Sequence, residues 1–238
     1  MSKNVEQNYL DEINTNYTMH DKDININLYR GKRIAEKVTG KEILELGCAD
    51  GMLSKILSGR FDNLICVDAS KIHTDAVKKL VPSATVITSL FEDLNFEKKF
   101  DTIIVGHVLE HVSNPIETLR NLLKFCHKKT TVIITVPNGN SIHRLIGAKL
   151  GMIPYPQFLT SNDLKIGHRR VYTLQELKSD IENAGFDAAL EEGIAIKPFS
   201  NTQMNEWGAD LREAFFDISE FLPPEICGEL MIVARPKP

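Results

Sequence analysis

Short apolar segments that alternate with helical segments dominate the chain between residues 42 and 137. The apolar segments lie at 42–46, 63–68, 84–88, 100–107 and 130–137. Because they lack a polar face and are separated by helical patterns, they indicate parallel strands that are buried on both faces. Two more strands are predicted at 189–199 and 229–236. The sequence therefore predicts an α/β fold with a doubly wound, mostly parallel sheet of seven strands, whose ligands bind beyond the carboxyl ends of the strands.

The segments between and beyond these strands suggest one domain of 238 residues. Helical spacing of apolar residues predicts helices at 24–38, 52–58, 70–80, 114–126, 173–186 and 202–222. Residues 1–23 are polar and without a clear period, so 1–38 is predicted to be an N-terminal arm followed by a helix. Residues 138–170 are too long for an ordinary connection, and we interpret them as a lid inserted after the fifth strand.

Composition restricts the partners of the chain. The 28 Lys and Arg residues against 32 Asp and Glu residues give a net charge of −4, which counts against general nucleic-acid binding. We find no apolar run near the roughly 18 residues of a membrane span and no apolar core of a signal peptide. The four cysteines form no CxxC pair and are expected to be buried thiols. We expect a cytoplasmic protein with no membrane or nucleic-acid partner, and the oligomeric state stays open.

A glycine-containing turn, Gly47-Cys48-Ala49-Asp50-Gly51, directly follows the first strand, and Asp68 ends the second. Glycine permits a tight turn and a close approach of the backbone to a ligand, and an acid at the second strand end can accept hydrogen bonds from ribose hydroxyls. The spacing differs from the dinucleotide motif G-x-G-x-x-G, and no P-loop is present. Acids at Glu45, Asp50 and Asp68 suit a nucleoside with a positive centre, such as S-adenosylmethionine.

Four segments carry a family resemblance. ILELGCADG (43–51) resembles the first motif of class I S-adenosylmethionine-dependent methyltransferases, and VDAS (67–70) resembles their second-strand acid. FDTIIVGHVLEHVSNPIETLRNL (100–122) is similar to their fourth strand with the loop and helix that follow, and YTLQELKSDIENAGF (172–186) to the helix after the fifth strand. The resemblance covers about residues 40–190, is nearest to the ubiquinone-biosynthesis methylase branch, and implies a Rossmann-like sheet.

The resemblance also implies how the cofactor is held. The two glycines of the turn would lie against its methionine part, Asp68 would hold the ribose, and His107 would offer its carbonyl to the ammonium group. Ala69 would pack on the adenine, and Leu90 and Phe91 would flank its other face; many members carry an acid in place of Leu90. The predicted cofactor-binding residues are Glu45, Gly47, Cys48, Gly51, Asp68, Ala69, Leu90, Phe91 and His107.

Histidines near the expected acceptor site are candidates for a general base, because histidine titrates near neutral pH. We select His111 and His168, although a structural role for His111 is an equal alternative. The sequence HVLEH also has a spacing that can bind a metal, but the resemblance supplies none there and we predict no metal. The lid adds groups suited to a polar or anionic acceptor, or else to solvent. The candidate substrate-binding residues are His143, Arg144, Arg169, Arg170 and Tyr172.

These features predict an S-adenosylmethionine-dependent methyltransferase. We expect methyl transfer to an oxygen of a small polar metabolite, such as a sugar, or a phosphorylated or nucleotide-linked compound. A small-molecule N-methyltransferase and a non-catalytic S-adenosylmethionine-binding protein are the alternatives. A nucleic-acid methyltransferase is disfavoured by the net charge of −4 and by GHVLEH (106–111), which stands where amino-methylating DNA enzymes carry an Asn/Asp-Pro-Pro-Tyr type tetrad.

Overall fold

All seven strands belong to a single sheet in the computed structural model, which describes residues 24–204 and 206–238. The sheet order is β3-β2-β1-β4-β5-β7-β6, in which β1 to β5 are parallel and β7 runs antiparallel to both of its neighbours. The strands are β1 (Glu42–Leu46), β2 (Asn63–Asp68), β3 (Thr85–Thr88), β4 (Phe100–Gly106), β5 (Cys126–Pro137), β6 (Phe186–Ile194) and β7 (Glu229–Pro236). The predicted seven-stranded, doubly wound, Rossmann-like architecture is confirmed.

Helices connect the strands and cover the sheet. They are α1 (Ile24–Lys37), α2 (Met52–Ser58), α3 (Lys71–Leu80), α4 (Pro115–Leu122), α5 (Ile142–Lys149), α6 (Ser161–Lys165), α7 (Leu174–Asn183), α8 (Asn201–Met204) and α9 (Ala209–Asp217). Short 3₁₀ turns lie at Phe91–Asp93, Leu123–Phe125, Ile218–Phe221 and Pro224–Ile226. Helices α5 and α6 lie inside the predicted lid, residues 138–170.

Local sequence signals explain several helix ends. The side chains of Ser70 and Asn114 accept hydrogen bonds from the third residue of α3 and α4, respectively. Thr173 and Glu176 form a reciprocal capping box at the start of α7. After α7 the chain turns at Gly185, whose φ of +99° is a left-handed conformation that glycine adopts without strain.

Alternate strand residues fill two apolar clusters, one on each face of the sheet. In β1, Leu44 and Leu46 belong to one cluster, whereas Ile43 belongs to the other. All three side chains are fully buried, as expected for a strand with helices on both faces. The carboxyl ends of the parallel strands therefore emerge from a layer that is packed on both faces, and this places the first residues of the loops at those ends.

Several predicted boundaries are wrong. The expected helix at 202–222 is broken into α8, α9 and a 3₁₀ turn, because Gly208 has an extended conformation and caps the start of α9. The strand expected at 189–199 occupies 186–194 instead, and Pro198 lies beyond its end. The helix expected to reach residue 126 ends at Leu122.

The predicted arm at 1–23 lies outside the described residues, so the single-domain assignment of 1–238 stays a prediction. In the described part of the chain, no helix combines the length and the apolar character needed to cross a bilayer.

Candidate active site

A cavity lies at the carboxyl ends of β1, β2 and β4. Its walls come from the turn after β1, the end of β2, the 3₁₀ turn after β3, the loop after β4, the lid near Gly167, and helix α1. Eight of the nine predicted cofactor-binding residues line it, and Gly51 is the exception. The site is therefore where the doubly wound topology predicts a ligand.

The glycine turn bends sharply at the edge of this cavity. Gly47 and Gly51 have φ values of +75° and +84°, and Ala49 between them also has a positive φ of +44°. A Cβ atom on Gly47 would lie 2.6 Å from Cγ2 of Val108, so no other residue fits without moving the loop after β4. Gly51 instead faces α3, where an added Cβ atom would lie 3.0 Å from Val77 Cγ2, and it starts α2.

Asp68 links the glycine turn to the end of β2. Its Oδ2 accepts a hydrogen bond from the Ala49 main chain at 3.0 Å, and its Oδ1 accepts one from Ser70 N at 2.8 Å. His73 Nδ1 lies 3.4 Å from Oδ1. Carboxylate oxygens can each accept more than one hydrogen bond, so this acid can hold the turn and still accept from hydroxyl groups in the cavity.

Glu45 is a buried acid in the wall of the same cavity. Its Oε2 accepts hydrogen bonds from Ser54 Oγ at 2.6 Å and from Cys66 Sγ at 3.2 Å. Burial raises the pKa of Glu45 to about 7. Its Oε1 is buried and has no hydrogen-bond partner among the described residues. A positively charged group of a ligand would interact with Oε1 and stabilise the ionised form of Glu45. The buried carboxylate therefore fits a cationic nucleoside.

His107 directly follows β4 and has a left-handed conformation, with φ of +53°. Its Nδ1 lies 3.2 Å from Glu110 Oε1, and its Nε2 lies 3.3 Å from Glu229 Oε2. Burial and Arg30 lower the pKa of His107, but Glu229 and Glu110 outweigh them and the net shift is upward. The two carboxylates therefore favour the charged form of the imidazole, and that form cannot accept a proton.

Helix α1 contributes to the cavity through residues that sequence reasoning missed. Arg30 Nη1 donates a hydrogen bond to Glu229 Oε1 at 2.7 Å and lies 3.1 Å from His107 Nε2. Asn27 and Ile34 also line the cavity. A signal was present, because Ile26, Arg30 and Ile34 are four residues apart and share one helix face. A charged residue on an apolar helix face is expected to meet a buried partner.

His111 lies in the cavity wall and is half-buried. Burial lowers the pKa of His111 to about 4, although Glu110 and a hydrogen bond to the main chain of Gly167 act in the opposite direction. At neutral pH the ring is therefore uncharged and has a lone pair. The His168 ring packs edge-on against it, with 4.8 Å between the ring centroids. His168 does not line the cavity, and its Nδ1 lies 3.4 Å from Asp163 Oδ1.

Three of these side chains could hold a metal ion. Glu110, His111 and His168 each offer one ligand atom, and these atoms lie within 4.8 Å of one another. Glu110 is fully buried, and the neighbouring histidines outweigh the effect of burial and lower its pKa to about 2. One carboxylate and two imidazoles are a known ligand set for divalent cations. That no metal binds here stays a prediction.

The predicted substrate-binding residues of the lid do not line the cavity. Arg144 donates to the carbonyl oxygens of Pro156 and Phe158, inside the lid itself. Tyr172 is buried and donates to Asp180 Oδ2 at 2.9 Å.

The other candidates also have partners in the chain. His143 Nδ1 lies 3.1 Å from Ser141 Oγ, and burial lowers the pKa of His143 to about 3. The main-chain N–H of Arg169 donates to Glu110 O, and Arg170 donates to carbonyl groups of the loop after β4. The side chains of Arg144, Arg170 and Tyr172 are thus hydrogen-bonded within the protein, away from the cavity, and their role in substrate binding stays a prediction.

Comparison with known proteins decides the family. Residues 26–191 match the family described as a methyltransferase domain. The chain belongs to this methyltransferase family. Membership confirms the prediction of an S-adenosylmethionine-dependent methyltransferase enzyme, and S-adenosylmethionine is the cofactor that the cavity at the strand ends fits.

Curated relatives include members of the ubiquinone-biosynthesis branch that the sequence resembles. The chain is 27% identical over 165 residues to the ubiquinone biosynthesis O-methyltransferase of Rickettsia bellii. This alignment covers 63% of this chain and 69% of that protein. It is 25% identical over 180 residues to the mitochondrial ubiquinone biosynthesis O-methyltransferase of Arabidopsis thaliana, covering 70% of this chain and 53% of that protein.

Solved structures share the fold of this methyltransferase. The plantazolicin methyltransferase BpumL in complex with SAH aligns with a TM-score of 0.62 at 18% identity, over 98% of this chain and 96% of that one. The DhpI–SAH complex aligns with a TM-score of 0.62 at 13% identity, over 99% and 97% of the two chains. At these identities the likeness supports the seven-stranded fold alone.

Proposed function

We propose that this methyltransferase transfers the methyl group of S-adenosylmethionine to a hydroxyl oxygen of a small, uncharged, polar metabolite. One observation carries the proposal: the imidazole of His111 lines the same cavity as the glycine turn and Asp68. A cofactor and a base that share one cavity can place an acceptor hydroxyl between them.

The residues of the glycine turn and of β2 would hold the cofactor. Asp68 would accept hydrogen bonds from the ribose hydroxyls, since it lies at the strand end and lines the cavity. Leu90 and Phe91 would contact the adenine from the turn after β3, and Glu45 would face the positively charged methionine part. When bound, the cofactor supplies a methyl group on a sulfonium leaving group, so the protein need only align the acceptor and manage its proton.

His111 would remove that proton. Its lowered pKa of about 4 keeps the ring neutral at physiological pH, which is the form that can act as a base. His107, by contrast, lies between two carboxylates that favour its charged form. His168 contacts His111 and not the cavity, so we assign it a supporting role in place of a direct one. A neutral amine acceptor would need no such base, and a base in the wall therefore favours oxygen.

The charges of the cavity count against an anionic acceptor. Among the described residues, Arg30 is the one Lys or Arg side chain in the lining, and it is paired with Glu229. The guanidinium groups of Arg144 and Arg170, which suggested a phosphorylated or nucleotide-linked acceptor, donate to main-chain carbonyls. We therefore propose a hydroxyl compound such as a sugar or a phenol, in keeping with the O-methyltransferase names of the curated relatives.

The test uses S-adenosylmethionine with a ¹³C-labelled methyl group and a panel of sugars, phenols, amines and phosphorylated compounds. NMR distinguishes a methoxy from an N-methyl product. We expect a methoxy product, its loss in His111→Ala, and normal rates in the control His127→Ala, whose ring bonds Asp101 at the opposite end of the sheet. An N-methyl product, or full activity of His111→Ala, would refute the proposal.

Two further measurements separate the alternatives. Calorimetry with S-adenosylhomocysteine should give the same affinity for His111→Ala and the wild type, because His111 faces the acceptor. Cofactor binding without turnover on any acceptor of the panel would favour a non-catalytic binding protein. Activity should survive a chelator, and its loss would assign Glu110, His111 and His168 to a metal ion instead.

A further inference from the structure

The loop that carries His111 is a single turn between β4 and α4. The main-chain N–H groups of His111 and Val112 both donate to Val108 O, at 2.9 and 3.3 Å. No regular helix follows directly, so the carbonyl groups of this turn lack the donors that a continuing helix would provide. Leu109 and Glu110 are buried, and carbonyl groups at such positions are expected to find other partners.

Arg170 supplies most of those partners. Its Nη1 donates to Leu109 O and Val112 O, both at 2.5 Å, and its Nη2 donates to Ser113 O at 3.2 Å. The adjacent Arg169 N donates to Glu110 O at 2.8 Å. Four successive or near-successive carbonyl groups of the loop therefore accept hydrogen bonds from the segment in which the lid returns to the sheet.

The same segment also contacts the His111 ring. The main chain of Gly167 makes a hydrogen bond with the imidazole of His111. Gly167 has a φ of +84°, which a residue with a side chain would adopt only with strain. In a neutral imidazole that donates to a carbonyl group, the other nitrogen carries the lone pair. Residues 167–170 thus fix both the loop and the ring.

We propose that Arg170 is a positioning residue, which holds the loop after β4 so that His111 stays in the cavity wall with one tautomer. The inference rests on the proposed function, in which His111 is the base. Arg170 does not line the cavity and touches neither substrate nor cofactor in this assignment. Its role follows from geometry, since one planar guanidinium spans three carbonyl oxygens on both sides of His111.

Lysine cannot replace this arrangement. An ammonium group keeps the positive charge, but it is a single point on a flexible stem and cannot reach carbonyl groups that a rigid fork spans. Arg170→Lys therefore preserves the positive charge but removes the planar group that bonds three carbonyl oxygens at once. Arg120→Lys is the matched control, because Arg120 donates to the main-chain carbonyl of Asn183 and to Glu117 on the exposed surface.

The variants are compared by kcat for methyl transfer to the acceptor that the panel above identifies, by the affinity for S-adenosylhomocysteine and by ¹⁵N NMR of the His111 ring. A displacement of about 1 Å costs on the order of 100-fold in rate, so we expect kcat of Arg170→Lys to fall about 10- to 100-fold. Cofactor affinity should stay within about twofold by the same reasoning, since the glycine turn is untouched. The single tautomer of His111 should become a mixture, whereas Arg120→Lys should match the wild type in all three.

Normal kcat and an unchanged tautomer in Arg170→Lys would overturn the inference. If that variant fails to fold, Arg170→Gln, which keeps a planar donor, is measured in the same way. The proposed function fails separately: if His111→Ala remains active, the base assignment is wrong regardless of Arg170. If His111→Ala is inactive and Arg170→Lys is normal, the positioning role alone is wrong.

Discussion

Replacement of Asp68 by alanine tests how the cofactor is held. In the proposed complex the carboxylate accepts hydrogen bonds from two ribose hydroxyls. Each hydrogen bond to a charged group contributes about 1.5 kcal/mol at the lower end of the usual range, so the pair contributes about 3 kcal/mol. Since about 1.4 kcal/mol corresponds to a factor of ten, Asp68→Ala should bind S-adenosylhomocysteine about 150-fold more weakly.

The same change also removes contacts within the protein. Ala49 N and Ser70 N both lose their acceptor, so we expect the free energy of unfolding to fall by about 2–4 kcal/mol. Asp101→Ala provides the control, because Asp101 Oδ2 accepts hydrogen bonds from Lys41 N and Glu42 N at the other end of the sheet. That variant should lose stability and keep wild-type affinity.

Isothermal titration calorimetry with S-adenosylhomocysteine measures both variants on folded protein, as checked by circular dichroism. A Kd of Asp68→Ala within about threefold of the wild type would correspond to less than about 1 kcal/mol. That result would refute the assignment of Asp68 to the ribose. If Asp101→Ala lost the same affinity, the weaker binding would result from lower stability of the protein and not from a lost contact to the ribose.

Further predictions concern the turn, the buried acid and the base. In Gly47→Ala the residue keeps a φ of +75° and gains a Cβ atom 2.6 Å from Val108 Cγ2, so the free energy of unfolding should fall by about 2–4 kcal/mol and cofactor binding should weaken. The control is Gly151→Ala, because Gly151 has a similar φ of +71° but open space around it. Chemical denaturation of that variant should show a loss of about 1 kcal/mol. Glu45 has a folded-state pKa raised to about 7, so its contribution to stability is present below its unfolded pKa near 4.5 and is lost by about 3 kcal/mol as pH rises through 7. Glu45→Gln should abolish that loss in denaturation measured from pH 4 to 9, and an unchanged pH dependence would contradict it. For His111, kcat/KM should rise as pH increases through about 4 and stay level across neutral pH, and an inflection near 6.5 in the wild-type enzyme would contradict the assignment.

The sheet and the glycine turn were predictable because their signals are local. Buried strands are continuous apolar runs, and β1 and β2 have the bounds that the sequence predicts. The turn could be placed because Gly47 and Gly51 need positive φ values. Asp68 could be placed because a strand end fixes its position relative to that turn.

The partners of long polar side chains were not predictable. Arg144 and Arg170 are typical of anion binding in sequence, but each finds main-chain carbonyl groups that only the folded lid and loop bring within reach. The same holds for His168, which contacts His111 although 57 residues separate them. Side chains of this length have many reachable partners, and tertiary packing selects among them.

The break between α8 and α9 has a related cause. Apolar and aromatic residues at 202–222 have helical spacing, but Gly208 has a low helix propensity and adopts an extended conformation. Trp207 and Phe215 pack with 5.1 Å between their ring centroids across this break.

The most direct test of the whole account is a crystal structure of the protein with S-adenosylhomocysteine. We predict that the nucleoside lies in the cavity at the ends of β1, β2 and β4, with its ribose on Asp68, its adenine beside Phe91 and its sulfur facing the side of the cavity that His111 lines. A nucleoside bound elsewhere, or a sulfur atom with no open path to His111, would contradict the proposed transfer to oxygen.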